Sequence, residues 1–154
     1  MDFRNFDYPT TPCNPKTAAV RAGRFTYNSD EQKFSIFISV DAIAAGDMRG
    51  DGSRQAAVTL TCTFPVGFGS QVLLFDVRGS KAPFLAVVAA INDAEFTARY
   101  RFANGFLYVD QCLGDNAPST SVVTTYRLRG NRLEKVNVLK HTSPKDLGCP
   151  YIVR

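Results

Sequence analysis

The chain has 154 residues, a formal net charge of +4, a hydrophobic fraction of 45% and a charged fraction of 21%. This length suits one domain with its own buried core, and the composition excludes wholesale disorder. No apolar run approaches the roughly 20 residues that a bilayer-crossing helix requires, so we expect no membrane span. The basic residues are scattered rather than clustered, which argues against a nucleic-acid partner. We interpret them as a solvated face, with an anionic partner as the alternative.

The first 17 residues are rich in proline, asparagine and threonine. Pro9, Pro12 and Pro15 preclude a helix there, because proline fixes its own φ and restricts the residue before it. We therefore expect residues 1–17 to form an extended N-terminal arm. Phe3, Phe6 and Tyr8 are available to anchor this arm to the rest of the domain.

Alternation of apolar and polar residues predicts strands through the next part of the chain. In Lys33–Val40 the side chains of Phe34, Ile36, Ile38 and Val40 share one face. The run after Pro83 is rich in alanine and could be a short helix, but its valines favour a strand. Further strands are expected at Val20–Tyr27 around a glycine turn, Ala56–Cys62, Gln71–Arg78 and Phe84–Ala89. Ala42–Ala45 is expected to form a short helical turn.

Two segments of the second half resemble each other, Thr97–Val109 and Thr124–Val136. Each is predicted to form a strand, a tight turn and a second strand, with Asn104-Gly105 in the first turn and Gly130-Asn131 in the second. These dipeptides supply the positive φ that two-residue hairpin turns need.

Together these patterns predict a mainly β protein with few or no helices. We expect a single antiparallel, sheet-rich domain, a meander of hairpins that forms a sandwich or an open barrel. Its core should span residues 18–140, and residues 141–154 should form an extended C-terminal tail tied back to the core.

The four cysteines are spread along the chain and form no Cys-x-x-Cys pair, and the only histidine is His141. Zinc sites normally show closely spaced ligands, so we expect no metal. Dispersed cysteines in even number favour two disulfides and an oxidising compartment. Of the three possible pairings we favour Cys62 with Cys112 and Cys13 with Cys149. Four buried, reduced thiols are the alternative.

Residues 46–52 form an Asp/Gly-rich turn that is partly like a calcium loop. Asp47 and Asp51 occupy alternating ligand positions, and Gly52 follows where such a loop needs its turn glycine. Arg49 and Gln55 stand at two further ligand positions, and a guanidinium there would repel the ion. We therefore expect a loop tightened by hydrogen bonds from backbone amides to aspartate, with Arg49 paired to Asp47 or Asp51 in place of an ion.

Two short features, one within this loop and one after the following strand, could bind a partner. Arg49-Gly50-Asp51 is the tripeptide that integrins recognise, although so short a motif often arises by chance. Phe64 and Phe68 flank a predicted turn; exposed together they would make a binding tip, and buried they would cap the core. Burial is the favoured interpretation, because apolar side chains usually cover a core end.

One family resemblance rests on the same stretch. Gly46-Asp47-x-x-Gly50-Asp51-Gly52-x-x-Gln55-Ala56-x-Val58 is similar to the Gly-Asp-x-Thr-Gly-Asp-Gly-x-x-Asp/Glu-Ala-x-Val segment of small bacterial envelope proteins and lipoproteins of unknown function. LppP/LprE-type lipoproteins and single FG-GAP/VCBS-like repeats carry such segments. The opening Asp2-Phe3-x-Asn5-Phe6-x-Tyr8-Pro9 and the late Gly148-Cys149-Pro150 also resemble that group. The resemblance implies secretion and a β-rich domain, and it carries no catalytic residues to transfer.

No catalytic constellation emerges from the sequence. His141 lies in a polar segment, so we expect it to be a solvent-exposed loop residue. Asp110 lies in an apolar strand, where Arg99 or Arg101 across the hairpin could pair with it. A cross-strand ion pair explains this acid more simply than catalysis does. We expect no catalytic residue and no cofactor.

Three functional hypotheses follow. The first is a non-enzymatic secreted or envelope-associated binding or structural module whose partner is a protein or an envelope component. The second is a protein inhibitor or immunity-type factor that acts on a secreted enzyme. The third is a carboxylate-based hydrolase, which would need two neighbouring carboxyl groups in a pocket, drawn from Asp76, Asp93, Glu95, Asp110 and Asp115. The cysteines and the resemblance together predict an extracytoplasmic location, so we interpret the chain as a mature form.

Overall fold

The computed structural model describes residues 1–13, 16–29, 33–65, 67–92, 95–113 and 120–142. Every regular element in these ranges is a β-strand, which confirms the mainly β prediction. The strands are β1 (Phe6–Tyr8), β2 (Ala18–Val20), β3 (Arg24–Ser29), β4 (Phe34–Gly46), β5 (Arg54–Phe64), β6 (Gly67–Val77), β7 (Phe84–Asn92), β8 (Glu95–Ala103), β9 (Phe106–Leu113), β10 (Thr120–Arg129) and β11 (Arg132–Thr142).

The strands form three antiparallel sheets. Strands β3 to β7 make a five-stranded sheet, and β8 to β11 make a four-stranded sheet. Within each of these two sheets, every strand pairs with its neighbour in the chain, as expected for a meander of hairpins. The short strand β1 of the N-terminal arm pairs with β2, which follows the arm in the chain.

The arm covers one face of the five-stranded sheet. Phe3 and Tyr8 are buried there, and their rings pack on Phe75 of β6 with centroid distances of 5.2 and 6.0 Å. Phe6 joins them at 5.3 Å from the same ring. The Tyr8 hydroxyl donates to the Phe3 carbonyl at 2.6 Å, so its polar end is satisfied inside the core. The predicted aromatic anchors are thereby confirmed.

The four-stranded sheet covers the opposite face. Strand β5 is consequently buried on both sides, with Val58 in the cluster beneath the arm and Ala57 in the cluster between the two sheets. Two hydrogen bonds cross between the sheets: Thr59 to the Tyr100 hydroxyl, and the Tyr126 hydroxyl to the Val88 carbonyl, both at 3.1 Å. Burial raises the pKa of Tyr100 to about 12, so this phenol stays protonated at neutral pH.

Both predicted hairpin turns of the second half are confirmed. Asn104 and Gly105 connect β8 to β9 with φ of 52° and 78°, and Gly130 begins the turn between β10 and β11 with φ of 59°. The predicted helical turn at Ala42–Ala45 is wrong, because β4 continues through it to Gly46. Pairing with β5 holds these residues in the sheet, with a register shift between Val40 and Ala42.

The disulfide pairing predicted from the sequence is also wrong. Cys13 of the arm is bonded to Cys62 of β5, with the Cα atoms 6.2 Å apart. Cys62 lies in the cluster beneath the arm, whereas Cys112 belongs to the four-stranded sheet on the other side of β5, so the two cannot meet. Cys112 is itself disulfide-bonded. Cys149 lies outside the described residues.

Candidate functional site

The loop between β4 and β5 is closed by its own aspartates. Asp47 accepts hydrogen bonds from the backbone amides of Arg49, Gly50 and Gly52 at 2.7–2.8 Å. Asp51 accepts one from the amide of Ser53 at 2.8 Å. The predicted tightening by amide-to-aspartate bonds is confirmed. Gly50 and Gly52 have φ of 72° and 82°, a region that a residue with a Cβ rarely adopts, which explains the glycines of this motif.

These bonds also set the charge state of the loop. The amide of Gly52, followed by those of Gly50 and Arg49, lowers the pKa of Asp47. Hydrogen bonds from Ser53 lower the pKa of Asp51. Both carboxyl groups are therefore ionised at neutral pH, and the oxygens of Asp47 are already directed at the backbone.

Arg49 anchors the loop to both main sheets. Its Nη1 donates to both carboxylate oxygens of Asp76 on β6, at 3.0 and 3.1 Å. Its Nη2 donates to the Gly130 carbonyl and to Oδ1 of Asn131, in the turn between β10 and β11. The expected pairing of Arg49 with Asp47 or Asp51 is therefore wrong. Both of those carboxylates face the loop backbone, whereas Asp76 offers a buried acceptor beneath it.

Asp76 is the centre of a polar cluster inside the sheet, with only 1% of its surface exposed. Besides Arg49, it accepts from Gln55 Nε2 at 3.1 Å and from Arg78 Nη2 at 2.7 Å. Burial alone would raise its pKa, but the bonds from Gln55, Arg78 and Arg49 outweigh that effect and lower it. The side-chain oxygen of Gln55 is also bonded, because the backbone amide of Met48 donates to its Oε1 at 2.7 Å. We call Arg49, Gln55, Asp76 and Arg78 the Asp76 cluster.

The sequence analysis overlooked Asp76 as a member of this site. One signal was available in the sequence. Asp76 directly follows the apolar run Val72–Phe75, and a strand with such a run is expected to be buried. Gln55, which stands at a ligand position of the calcium-loop pattern, is fully buried and bonded within the cluster.

The geometry limits what the loop can do as a recognition motif. Receptor binding by Arg-Gly-Asp requires both charged side chains at the surface. Asp51 is exposed, whereas the Arg49 side chain is only 17% exposed and forms a salt bridge with Asp76. Among the described residues, no group of three or more His, Cys, Asp or Glu side chains is placed to hold a metal ion.

Phe64 and Phe68 lie near the β5–β6 turn. Residues that face each other across an antiparallel pair share one side of the sheet, and here Phe64 pairs with Gly67 while Phe68 pairs with Thr63. The two rings therefore lie on opposite faces, both half-buried, and Phe64 packs against the cluster beneath the arm. They do not form one aromatic tip.

Asp110 and His141 occupy different surroundings. Asp110 is fully buried on β9, where the Ser121 hydroxyl donates to its carboxylate, and Arg99 lies directly opposite it in the pairing with β8.

His141 is exposed near the end of β11, whereas the sequence analysis put it in a loop. The edge strand extends further than its polar sequence suggested, because pairing with β10 continues to Thr142.

Comparisons with protein-family models, with curated proteins and with solved structures gave no match. The resemblance to envelope lipoproteins therefore stays a prediction based on three short motifs. No helix suitable for crossing a membrane occurs in the portion of the chain that the structure describes.

Proposed function

We propose that this protein is a non-enzymatic binding or structural module of a secreted or envelope-associated kind. The observation that carries the proposal is that three acids in the described part of the chain are engaged in structural contacts. Asp47 is bonded to loop amides, and Asp76 to arginine and glutamine. Asp110 is bonded to Ser121 within a strand pair. Carboxylates committed to structural contacts are poorly suited to proton transfer or nucleophilic attack.

The disulfide supports an extracytoplasmic location. It fastens the arm to β5, and the arm supplies Phe3 and Tyr8 to the core. Such bonds persist in oxidising compartments and are rare in the reducing cytosol. A partner would then be a secreted protein or a component of the envelope.

A preformed surface suits this role. The Asp76 cluster holds the Asp47–Asp51 loop against both sheets before any partner arrives, so little conformational entropy would be lost on binding. The same exposed, preorganised loop favours an inhibitor or immunity-type factor as the second candidate. That candidate predicts stoichiometric binding to one secreted enzyme through residues 50–52, which the substitution Asp51→Lys would abolish.

Co-sedimentation with envelope fragments from the cells that make the protein tests the first proposal. We expect saturable binding by the oxidised protein, loss of binding after reduction and alkylation, and recovery of fragments with unchanged covalent composition by mass spectrometry. Protein that stays in the supernatant, or that releases new soluble products from the fragments, would contradict it.

A further inference from the structure

We propose that the outer face of the four-stranded sheet, at the end nearest the Asn104-Gly105 and Gly130-Asn131 turns, is a docking surface for an acidic polysaccharide that carries carboxylates on its sugars. This inference rests on the proposed function and names its ligand class. The surface consists of Arg101, Tyr108, Arg127, Arg129 and Arg132, which we call the arginine face.

Strand alternation directs these side chains away from the core. They alternate along their strands with residues that pack into the cluster between the sheets, namely Tyr100, Phe102, Leu107, Val109, Tyr126, Leu128 and Leu133. Arg101, Arg129 and Arg132 are accordingly exposed, and Arg127 and Tyr108 are half-buried.

Positive charge in the arginine face exceeds the negative charge beside it, because Asp110, on the same side of the sheet, is fully buried and bonded to Ser121. Arg127 and Arg129 both direct Nε to the same oxygen of Glu134, each at 3.0 Å. Two guanidinium groups thus share one carboxylate. Arg132 lies directly opposite Arg129 in the strand pairing, and like charges in that position repel. An arriving anion would relieve this repulsion.

An aromatic ring adjoins the charges. The Arg101 guanidinium carbon lies 5.7 Å from the centroid of the Tyr108 ring, directly across the β8–β9 pair. In the described part of the chain, no acidic side chain forms an ion pair with Arg101. Its remaining donors can therefore be offered to a ligand that lies across the strands.

This combination favours acidic sugars over other anions. Arginine binds carboxylates and phosphates alike through two parallel hydrogen bonds, so the preference comes from the aromatic ring, which offers an apolar surface for the C–H face of a sugar. Arg101 on β8 and Arg127 on β10 lie two strand spacings apart and two residues out of register, about 12 Å between backbones, so a polymer could engage both. Single-stranded nucleic acid could use similar groups, but the disulfide favours a ligand found outside the cytosol.

Binding of polygalacturonate, measured by titration calorimetry, tests the inference. Fully methyl-esterified polygalacturonate is the matched ligand, because it keeps the backbone and loses the charges. We expect binding of the acidic polymer only, weakened by added salt. Arg101→Gln and Arg129→Gln should each weaken it about threefold, and the double variant about tenfold. Arg54→Gln, an exposed arginine on β5, is the charge-matched control and should bind as the wild type does.

Circular dichroism would establish that every variant is folded. Equal weakening by Arg54→Gln would mean that net charge alone drives binding and would overturn the inference. So would equal binding of the esterified polymer, tighter binding of a thymidine oligonucleotide, or no binding at all. If polygalacturonate fails to bind while envelope fragments still do, the proposed function survives and only the ligand class is wrong.

Discussion

Arg49 and Asp76 form the contact on which the Asp47–Asp51 loop rests, with Nη1 of the arginine 3.0 and 3.1 Å from the two carboxylate oxygens. The arginine comes from the loop before β5, and the aspartate comes from β6. Through Gly130 and Asn131 the same guanidinium reaches the four-stranded sheet. One side chain therefore links the loop to both layers of the sandwich.

Removing the acid of this pair should be costly. We expect Asp76→Ala to lower the free energy of unfolding by about 3 kcal/mol, because it leaves the largely buried charge of Arg49 without its carboxylate partner. Urea denaturation of the wild type and the variant measures this difference. Asp41→Ala removes an exposed aspartate of β4 and should change stability by less than about 0.5 kcal/mol. Equal effects of the two substitutions would mean that the pair contributes little.

Stability should fall in acid, in part through Asp76. Its pKa in the folded protein is lowered below the unfolded value of about 3.9. The unfolded chain therefore takes up a proton first, and stability rises with pH across that interval. The contribution of Asp76 is complete above about pH 4 and disappears as the pH falls through its folded pKa.

Urea unfolding between pH 2 and pH 7 checks this dependence. Asp47 and Asp51 titrate in the same direction, so the informative quantity is the difference between the wild type and Asp76→Asn. We expect that difference to shrink as the pH drops below 4. A difference that stays constant over the whole range would show that the ionisation of Asp76 does not couple to folding.

Gly46 should tolerate no side chain. A Cβ at this position would overlap the Phe102 side chain of β8, which lies against the end of β4. We expect Gly46→Ala to destabilise the protein by about 1–3 kcal/mol through overpacking. The same substitution in a Phe102→Ala background should cost less, because the obstructing ring is gone. Thermal unfolding of the four proteins in this cycle gives the coupling, and additive effects would rule out the contact as the cause.

The Cys13–Cys62 disulfide should stabilise the fold strongly. The two cysteines are 49 positions apart, and closing a loop of that length in the unfolded chain corresponds to about 4 kcal/mol. We expect the double variant Cys13→Ser, Cys62→Ser to lose most of that amount in urea denaturation. Limited proteolysis should then cut first within the arm, since its attachment to β5 is gone. An unchanged midpoint and digestion pattern would show that Phe3 and Tyr8 hold the arm unaided.

Local sequence signals predicted most of the strands. Lys33–Val40 alternates because one side of β4 is buried and the other is more exposed, and Asn104-Gly105 and Gly130-Asn131 specify turns through their own conformational preferences. These effects act over a few residues, so a single sequence carries them. The aspartate-to-amide bonds of the Asp47 loop belong to the same class, because all their partners lie within five residues.

The failed predictions depended on residues far apart in the chain. Arg49 meets Asp76 across 27 positions and Asn131 across 82, and no local pattern identifies either partner. Cys13 was assigned to Cys149 because they lie near the two ends of the chain. Its actual partner is Cys62, because the arm covers the face of β5 on which Cys62 lies. The arginine face went unrecognised as a site because its members come from four strands whose order in the sheet fixes their proximity.

The most direct test of a disulfide-braced extracytoplasmic module is the intact mass of the protein, isolated from the cells that make it and alkylated under denaturing, non-reducing conditions. We predict no alkyl adducts, and a digest that contains the peptide linking Cys13 to Cys62. An adduct on either of these cysteines would contradict the account, because it would remove both the attachment of the arm and the main support for an oxidising compartment.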